Sequence, residues 1–168
     1  MKPGDHPDFY RLAPPPGASR ESTIVLDRDG RFWHDGARVD HPALEQALRS
    51  WIALHPDDGR VILTNGYDWC YFRVEPGGAP FHVDALRVEP DGAVTLCLFD
   101  GTEEPLDPDT LRVGEGGAVH ARVKGGRFDA RFSRHAQTQL APVLVRDDPP
   151  TILVQGREVV IPPGPPDT

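Results

Sequence analysis

Two similar segments lie ninety residues apart in this chain, and this internal repeat constrains the fold more than any other feature. Residues 53–66 and 143–156 share six identical positions, the pairs Leu54/Leu144, Asp57/Asp147, Asp58/Asp148, Ile62/Ile152, Leu63/Leu153 and Gly66/Gly156. Duplicated units of this kind bury their apolar faces against each other and leave a seam between the copies. The alternative is chance similarity of two helix-and-strand segments, since Asp pairs and Gly are common in loops.

The predicted elements place the chain in the α+β fold class, as a duplicated unit of antiparallel strands plus one helix. Asn65-Gly66 between two apolar runs is a strong hairpin signal. A first helix is predicted to begin at Pro42, where the missing N–H costs nothing. A second is predicted after an N-cap at Asp129 or Ser133, with an apolar face that comprises Phe132, Ala136, Leu140, Val143 and Leu144.

Composition divides the chain into four predicted segments. Residues 1–20 are rich in proline and predict a flexible arm. Residues 21–100 form the N-terminal α+β repeat with its meander, and residues 101–161 form the C-terminal α+β repeat, which begins with an acidic loop. Residues 162–168 are predicted to be a loose tail.

The overall charge argues against a nucleic-acid partner. The chain carries a formal net charge of −8, so it would repel a phosphate backbone in bulk. No apolar run approaches the roughly 20 residues that span a membrane. The N-terminus lacks the apolar core of a secretion signal, and the two cysteines are expected to be free thiols, so the predicted location is the cytoplasm.

One region departs from this acidic background. Residues 112–134 hold six basic and only two acidic residues, a local net charge of +4. We predict that Lys124, Arg131 and Arg134 contact a phosphate or carboxylate near the Gly125-Gly126 turn, with Arg122 and Arg127 adding positive potential. The alternative is a solvated basic face neutralised by the acidic loop that contains Glu103, Glu104, Asp107 and Asp109.

Aromatic residues offer a weaker second element of the predicted site. Trp33 and Trp69 are candidates for stacking on a nucleotide base. Trp69 and Tyr71 alternate along a predicted strand and therefore share one sheet face. The alternative is that a helix covers this face, so that the rings belong to the core.

Catalytic and metal-binding patterns are absent from the sequence. The seven histidines show no ligand-type pairing, and the serines lie in no nucleophile elbow. The Asp57-Asp58 and Asp147-Asp148 pairs fit loops better than general acid–base roles. We therefore expect no metal, no cofactor and no enzymatic activity.

Two motifs resemble the DUF1285 family of bacterial proteins, a family of unknown function. Residues 28–36 followed by a helix are similar to that family's opening, and residues 123–134 are similar to its second-half motif of a glycine turn and an Arg-bearing helix. The resemblance implies a duplicated α+β core whose second half is loosely like pleckstrin-homology folds. It also implies a cleft for a nucleotide-like ligand and a role in signalling. Lys124 stands where the family has Arg, and Gln137 and Thr138 stand where aromatic residues are expected.

These observations lead to three hypotheses. The first is a non-catalytic protein that binds a small anionic, nucleotide-like ligand at the interface of the two repeats. The second is a module for protein–protein interaction that uses its sheet edges and its Pro-rich arm. The third, for which no nucleophile or base can be named, is a hydrolase of phosphorylated compounds.

Overall fold

A computed structural model describes residues 1–164 of the chain. By their internal contacts the residues divide into two compact units, Met1–Pro76 (unit 1) and Gly77–Thr168 (unit 2). The division lies at the Pro76-Gly77-Gly78 turn, whereas the sequence placed the boundary between its repeats at residues 100–101. Each unit is built around its own six-stranded sheet.

Unit 1 consists of one mixed sheet and one helix. Its elements are β1 (Glu21–Leu26), β2 (Phe32–His34), β3 (Ala37–Arg38), α1 (Pro42–Ser50), β4 (Ile52–Leu54), β5 (Val61–Thr64) and β6 (Trp69–Val74). The strand order is β3-β2-β1-β6-β5-β4. Neighbours pair antiparallel except β1 and β6, which are parallel. The sheet is therefore two three-stranded meanders joined through their first and last strands.

The start of helix α1 agrees with the prediction from Pro42. His41 is the N-cap, and its Nδ1 accepts a hydrogen bond from the backbone N–H of Leu44 at 3.1 Å. Pro42 occupies the first helical turn, where its lack of an N–H leaves no bond unmade. Leu48 is the buried residue of the helix.

The predicted flexible arm is instead folded onto unit 1. Residues 3–5 and 9–11 form two short 3-10 turns. Gly4 donates its backbone N–H to Gly66 O at 2.7 Å, and Phe9 is buried against Ile62 and Trp69. The prediction of a flexible segment up to residue 20 was wrong for this part, because Phe9 provides an apolar anchor that proline content alone does not reveal.

Unit 2 begins with a second six-stranded sheet. Its strands are β7 (Phe81–Val88), β8 (Val94–Leu98), β9 (Glu103–Pro105), β10 (Arg112–Val113), β11 (Val119–Val123) and β12 (Phe128–Phe132). The order is β10-β11-β12-β7-β8-β9. Only the central pair, β7 and β12, is parallel among these strands. Again two meanders join through their first and last strands.

The two sheets have the same topology, so the fold is a duplicated α+β fold. Reading unit 2 from β9 to β10 reproduces the order of unit 1 from β3 to β4. Strands β1–β6 thus correspond to β7–β12, at a separation of about sixty residues. The ninety-residue repeat relates a different pair of elements: hairpin β4–β5, at the edge of the first sheet, and the β13–β14 hairpin of a separate sheet. In both places a helix precedes the hairpin, which accounts for the local similarity.

The second predicted helix is shorter than expected. Helix α2 covers Arg134–Thr138, a 3-10 turn follows at residues 141–143, and a three-stranded sheet of β13 (Leu144–Asp147), β14 (Pro150–Val154) and β15 (Arg157–Val160) completes unit 2. Ser133 is the N-cap, as one alternative predicted, with its hydroxyl accepting from Ala136 N at 3.0 Å. Phe132 and Leu144 lie in strands, so the predicted five-residue helical face was wrong. The alternation of Phe128, Ala130 and Phe132 is a strand pattern.

The ends of the described chain add two further findings. Residues 162–164 pair with β10, where Val113 donates to Pro162 O at 2.9 Å, so this part of the predicted loose tail is ordered by hydrogen bonds. Residues 165–168, the rest of that tail, lie outside the described residues. Within residues 1–164 neither helix has the length and apolar character needed to cross a membrane.

Candidate functional site

The sheet of unit 2 has one apolar face and one polar face, because apolar and polar side chains alternate along β11, β12 and the start of β7. Large buried apolar side chains occupy one face: Phe81, Val83, Leu96, Leu98, Val119, Val123, Phe128 and Phe132. Helix α2 packs on the sheet and buries Ala136 completely. The intervening side chains point the other way and are polar or charged: His82 on β7, His120 and Arg122 on β11, and Asp129 and Arg131 on β12.

A row of four basic or titratable residues crosses this polar face. In the strand register Arg112 pairs with His120, His120 with Arg131, and Arg131 with His82. Cα partners on neighbouring strands point to the same side of a sheet, so the four side chains share one face. Arg112, His120 and His82 are buried, with 3–5% of their surface exposed. Buried groups of this kind require partners.

Asp129 supplies the partner for two members of the row. It lies on β12, two residues before Arg131, and is itself buried. Arg112 Nη2 donates to one carboxylate oxygen in a very short hydrogen bond, and His120 Nδ1 lies 2.9 Å from the other oxygen. Of the two predicted N-caps, Ser133 holds that position and Asp129 does not. The three residues form a buried polar cluster, which we call the Asp129 cluster.

The Asp129 cluster determines which ring nitrogen of His120 faces a ligand. An ionised carboxylate only accepts hydrogen bonds, so His120 must carry a hydrogen on Nδ1. The neutral ring then leaves Nε2 as an acceptor, and the protonated ring makes Nε2 a donor. Arg112 offsets the charge of Asp129, because a buried ion pair is tolerated only when both partners remain matched. Within residues 1–164 no protein group hydrogen-bonds to His120 Nε2.

His120 lines a cavity of about 440 Å³ in unit 2. Its other lining residues within the described chain are Val113, Glu115 and four glycines, Gly77, Gly78, Gly114 and Gly164. A side-chain carbon on Gly114 would lie 3.1 Å from His120 Nε2 and Cδ2, so glycine is what lets the imidazole reach this wall. We call this cavity the His120 pocket. Its glycine walls expose backbone rather than side chains to a ligand.

Lys124, predicted to contact the anion, and Arg122, predicted to add positive potential, both make hydrogen bonds within the protein. Lys124 Nζ donates to Asp100 at 2.9 Å and to Thr102 at 2.8 Å. Arg122 donates from Nε and Nη2 to Gly126 O at 3.1 and 2.9 Å. Burial disfavours the Asp100 carboxylate, but hydrogen bonds from Thr102 and Lys124 outweigh it and hold the pKa of Asp100 below its ordinary value. For Lys124 the alternative prediction holds, because an acidic residue of the loop neutralises its charge.

The other predicted basic residues lie on three different elements. Arg127 lies in the turn between β11 and β12 and donates to Lys124 O at 3.3 Å. Arg131 is half-buried within β12, and Arg134 is the exposed first residue of α2. Residues 128–132 form a strand, so no helix places these three residues on one face. Gly125 and Gly126 belong to the β11–β12 hairpin turn and not to a helix start.

The two candidate stacking residues belong to unit 1. Trp33 lies on β2, is 36% exposed, and donates from its indole N–H to Asp27 at 2.8 Å. Trp69 is buried in the cluster with Phe9 and Ile62. The N-terminal segment, and not the predicted helix, covers the Trp69 face of the sheet.

Sequence reasoning missed the Asp129 cluster, although a usable signal was present. Residues 119–123 and 128–132 alternate apolar and polar side chains on either side of a glycine turn. That pattern predicts a hairpin whose polar face carries His120, Arg122, Asp129 and Arg131. The sequence prediction instead was a helix after an N-cap at Asp129 or Ser133. Within the described chain, no group of three or more His, Cys, Asp or Glu residues could hold a metal ion.

Comparison with known proteins identifies two solved structures with the same fold. A DUF1285 family protein from Silicibacter pomeroyi DSS-3 aligns with a TM-score of 0.66 and 17% identity, over 90% of this chain and 91% of that one. A DUF1285 family protein from Shewanella baltica OS155 aligns with a TM-score of 0.56 and 16% identity, over 74% of this chain and 94% of that one. The resemblance stated from the sequence is thus confirmed at the level of the fold.

Sequence comparison adds no function to this picture. No protein-family model matches the sequence, and no curated protein matches it. Both structural neighbours are bacterial proteins of a family of unknown function. Any assignment of activity must therefore rest on the chemistry of the side chains.

Proposed function

We propose that this chain is a non-catalytic binding protein for a small anionic ligand and that the His120 pocket is its binding site. One observation carries the proposal: Asp129 fixes His120 through Nδ1, while the same ring lines a glycine-walled cavity. The imidazole is thereby oriented without any contact from the ligand. Preorganised groups of this kind bind more tightly, because less ordering is needed on binding.

Charge balance favours an anion over a neutral ligand. Arg112 and Asp129 offset each other, so protonation of His120 leaves one net positive charge in the Asp129 cluster. An anionic oxygen at Nε2 would accept a charge-assisted hydrogen bond from that imidazolium. Glycine backbone groups in the walls can approach the same oxygens closely.

The size and lining of the pocket restrict the ligand. A cavity of about 440 Å³ falls within the usual range for small-molecule sites. Glu115, also in the lining, would repel a strongly charged ligand such as a polyphosphate. The fitting class is a molecule with a single phosphate or carboxylate, for example a nucleoside monophosphate. The nucleotide-like character and the signalling role follow from the resemblance to the DUF1285 family.

Thermal-shift measurements against inorganic phosphate, nucleoside monophosphates and nucleoside triphosphates test this function. A ligand at 100 times its Kd should add roughly 2.7 kcal/mol of stability. His120→Ala should remove the shift, and Glu115→Gln should enlarge it by removing a like charge. Arg134→Ala is the matched control, because Arg134 is exposed on α2 and outside the pocket lining. The proposal fails if no anion shifts the wild-type protein, or if His120→Ala responds as the wild type does.

A hydrolase is the second candidate, and the Asp129–His120 pair is the observation that favours it. A carboxylate on Nδ1 of an imidazole that lines a cavity is the arrangement of a general base that activates water. Among residues 1–164, the pocket lining contains no Ser, Thr or Cys that could act as a nucleophile. Turnover of a nitrophenyl phosphate by the wild type, lost in His120→Ala, would support this candidate over pure binding. Equal rates for both proteins would remove it.

A further inference from the structure

A second surface with the properties of a binding site lies in unit 1. The rings of His55, Trp69 and Tyr71 lie together on one sheet face, with His55 5.0 Å from Trp69 and 5.6 Å from Tyr71 between centroids. Trp69 and Tyr71 are 5.2 Å apart and meet edge to face. Ile62 completes the apolar floor. We call this surface the aromatic groove.

The chain's own N-terminal residues occupy the aromatic groove. Phe9 is the anchor, with 7% of its surface exposed. Tyr10 follows it and lies 5.9 Å from Trp69 and 6.0 Å from His55, between ring centroids. Peptides that bind at protein interfaces are commonly anchored by a large aromatic side chain in a pocket, and Phe9 with Tyr10 beside it has this arrangement.

Directional polar contacts fix the register of this segment. Asp57 N–H donates to His55 Nδ1 at 3.1 Å, so Nε2 carries the ring hydrogen and donates to Tyr10 O at 3.0 Å. Arg11 follows Tyr10 and makes a forked contact with Asp57, 2.7 Å from Nη2 and 3.1 Å from Nε. The groove therefore recognises one backbone carbonyl and one guanidinium beside its aromatic anchor.

The remainder of the segment is little buried, although Gly4 N–H donates to Gly66 O at 2.7 Å. Of residues 1–12 only Phe9 is buried, and residues 13–19, which lead to β1, are exposed except for the half-buried Pro14. That connection contains three consecutive prolines and no helix or strand. The segment has one buried anchor, a forked ion pair and hydrogen bonds through backbone groups, among them one from His55 to Tyr10 O and one from Gly4 N–H to Gly66 O, and it joins β1 through an extended linker. This arrangement resembles a tethered ligand more than a core element.

We propose that the aromatic groove is a peptide-binding site that the chain occupies with its own residues 9–11 and that takes, in exchange, a partner segment of the same chemistry. The fitting partner segment has two adjacent aromatic residues followed by arginine. The tethered segment competes with such a partner, because a short linker gives it a high effective concentration. Binding of a partner therefore requires the N-terminal segment to leave the groove.

A labelled synthetic peptide of residues 1–12 tests the exchange by fluorescence anisotropy with full-length protein. Phe9→Ala removes the anchor of the tethered segment and should expose the groove to saturable peptide binding. The wild-type protein should bind the peptide at least about tenfold more weakly, because its own segment competes. Arg11→Ala, at an exposed side chain, is a second variant that frees the groove without altering the buried cluster. Arg38→Ala, exposed on β3, is the control and should behave like the wild type.

A charge exchange between groove and peptide tests the proposed register. In the Phe9→Ala protein, Asp57→Arg should weaken the peptide severalfold, and a peptide with Arg11→Glu should recover binding to that protein. Lack of peptide binding to both Phe9→Ala and Arg11→Ala would overturn the proposal. Equal affinity for the wild type and Phe9→Ala would also overturn it, as would failure of the charge-reversed peptide to recover binding.

Discussion

A histidine whose one ring nitrogen is held by a carboxylate has only the other nitrogen for a ligand. His120 is in this state because Asp129 is buried beside it and already bonded to Arg112. The glycine at position 114 then sets how closely the ring approaches the pocket wall. At the residue scale, the candidate site is defined by the side chains of Arg112, His120 and Asp129 and by the absence of a side chain at Gly114.

Gly114→Ala should weaken anion binding with little loss of stability. The backbone at Gly114 (φ −87°, ψ −171°) is one that alanine adopts without strain. The added methyl group would lie 3.1 Å from His120 Nε2, so the imidazole must shift by a few tenths of an ångström. Isothermal titration with phosphate and a melting curve measure the two effects. Unchanged affinity would show that the ligand does not depend on the position of Nε2.

Lys124→Met should lower the free energy of unfolding by about 1 kcal/mol at pH 7. The pKa of Asp100 is lower in the folded protein than in the unfolded chain. Its ionised form therefore stabilises the fold fully above the unfolded-state pKa, and this stabilisation is lost as the pH falls through the folded-state pKa. The difference between wild type and variant should therefore disappear between about pH 5 and pH 2. Urea unfolding at several pH values measures it, with Arg127→Met, in the same turn, as the control. An equal difference at every pH would contradict this assignment.

At the scale of elements, alternation along a strand proved more informative than charge spacing. Residues 119–123 and 128–132 form a hairpin whose faces follow directly from the sequence. The start of α1 and the Ser133 cap were also predictable, since both rest on local hydrogen bonding. Parallel pairing of β1 with β6 was not predictable, because it joins strands far apart in the chain and leaves no local signature.

The turn at residues 124–126 should tolerate substitution poorly for conformational reasons alone. Gly125 has φ +71°, and nothing lies within 4 Å of an added side-chain carbon. Gly125→Ala should therefore destabilise the protein by about 1–2 kcal/mol through backbone strain. Phosphate affinity should not change, because the turn is not part of the pocket lining. If Gly125→Ala instead lost phosphate affinity while keeping wild-type stability, the turn would be an anion-binding site after all.

The whole molecule repeats one sheet topology in two units. The sequence indicated a duplication, and the fold contains one, but along a different alignment: the strands of the two sheets correspond at about sixty residues, not ninety. The sequence identity between residues 53–66 and 143–156 lies in two hairpins that each follow a helix. The sheet topology depends on a pattern of buried apolar residues alternating along the strands, and many different sequences satisfy that pattern. Two units can therefore share a topology without sequence identity at corresponding positions.

The charge of the molecule as a whole predicts weak interaction with nucleic acid. The net charge is −8, and the basic region at residues 112–134 is partly neutralised by Asp100 and Asp129. A gel-shift assay with duplex DNA at about 50 mM salt should therefore show no complex. A retained complex at that salt would indicate a basic surface that the contacts within each unit do not reveal.

Nitrogen-15 NMR of the histidine side chains during a phosphate titration tests the central claim most directly. The chain has seven histidines, and the signals that are missing from the spectrum of His120→Gln are those of His120. The expected result is a saturable shift of His120 Nε2 towards the protonated form, with Nδ1 little changed because Asp129 already holds its hydrogen. A titration in which the His120 signals stay constant, while phosphate is present in excess, would contradict the claim.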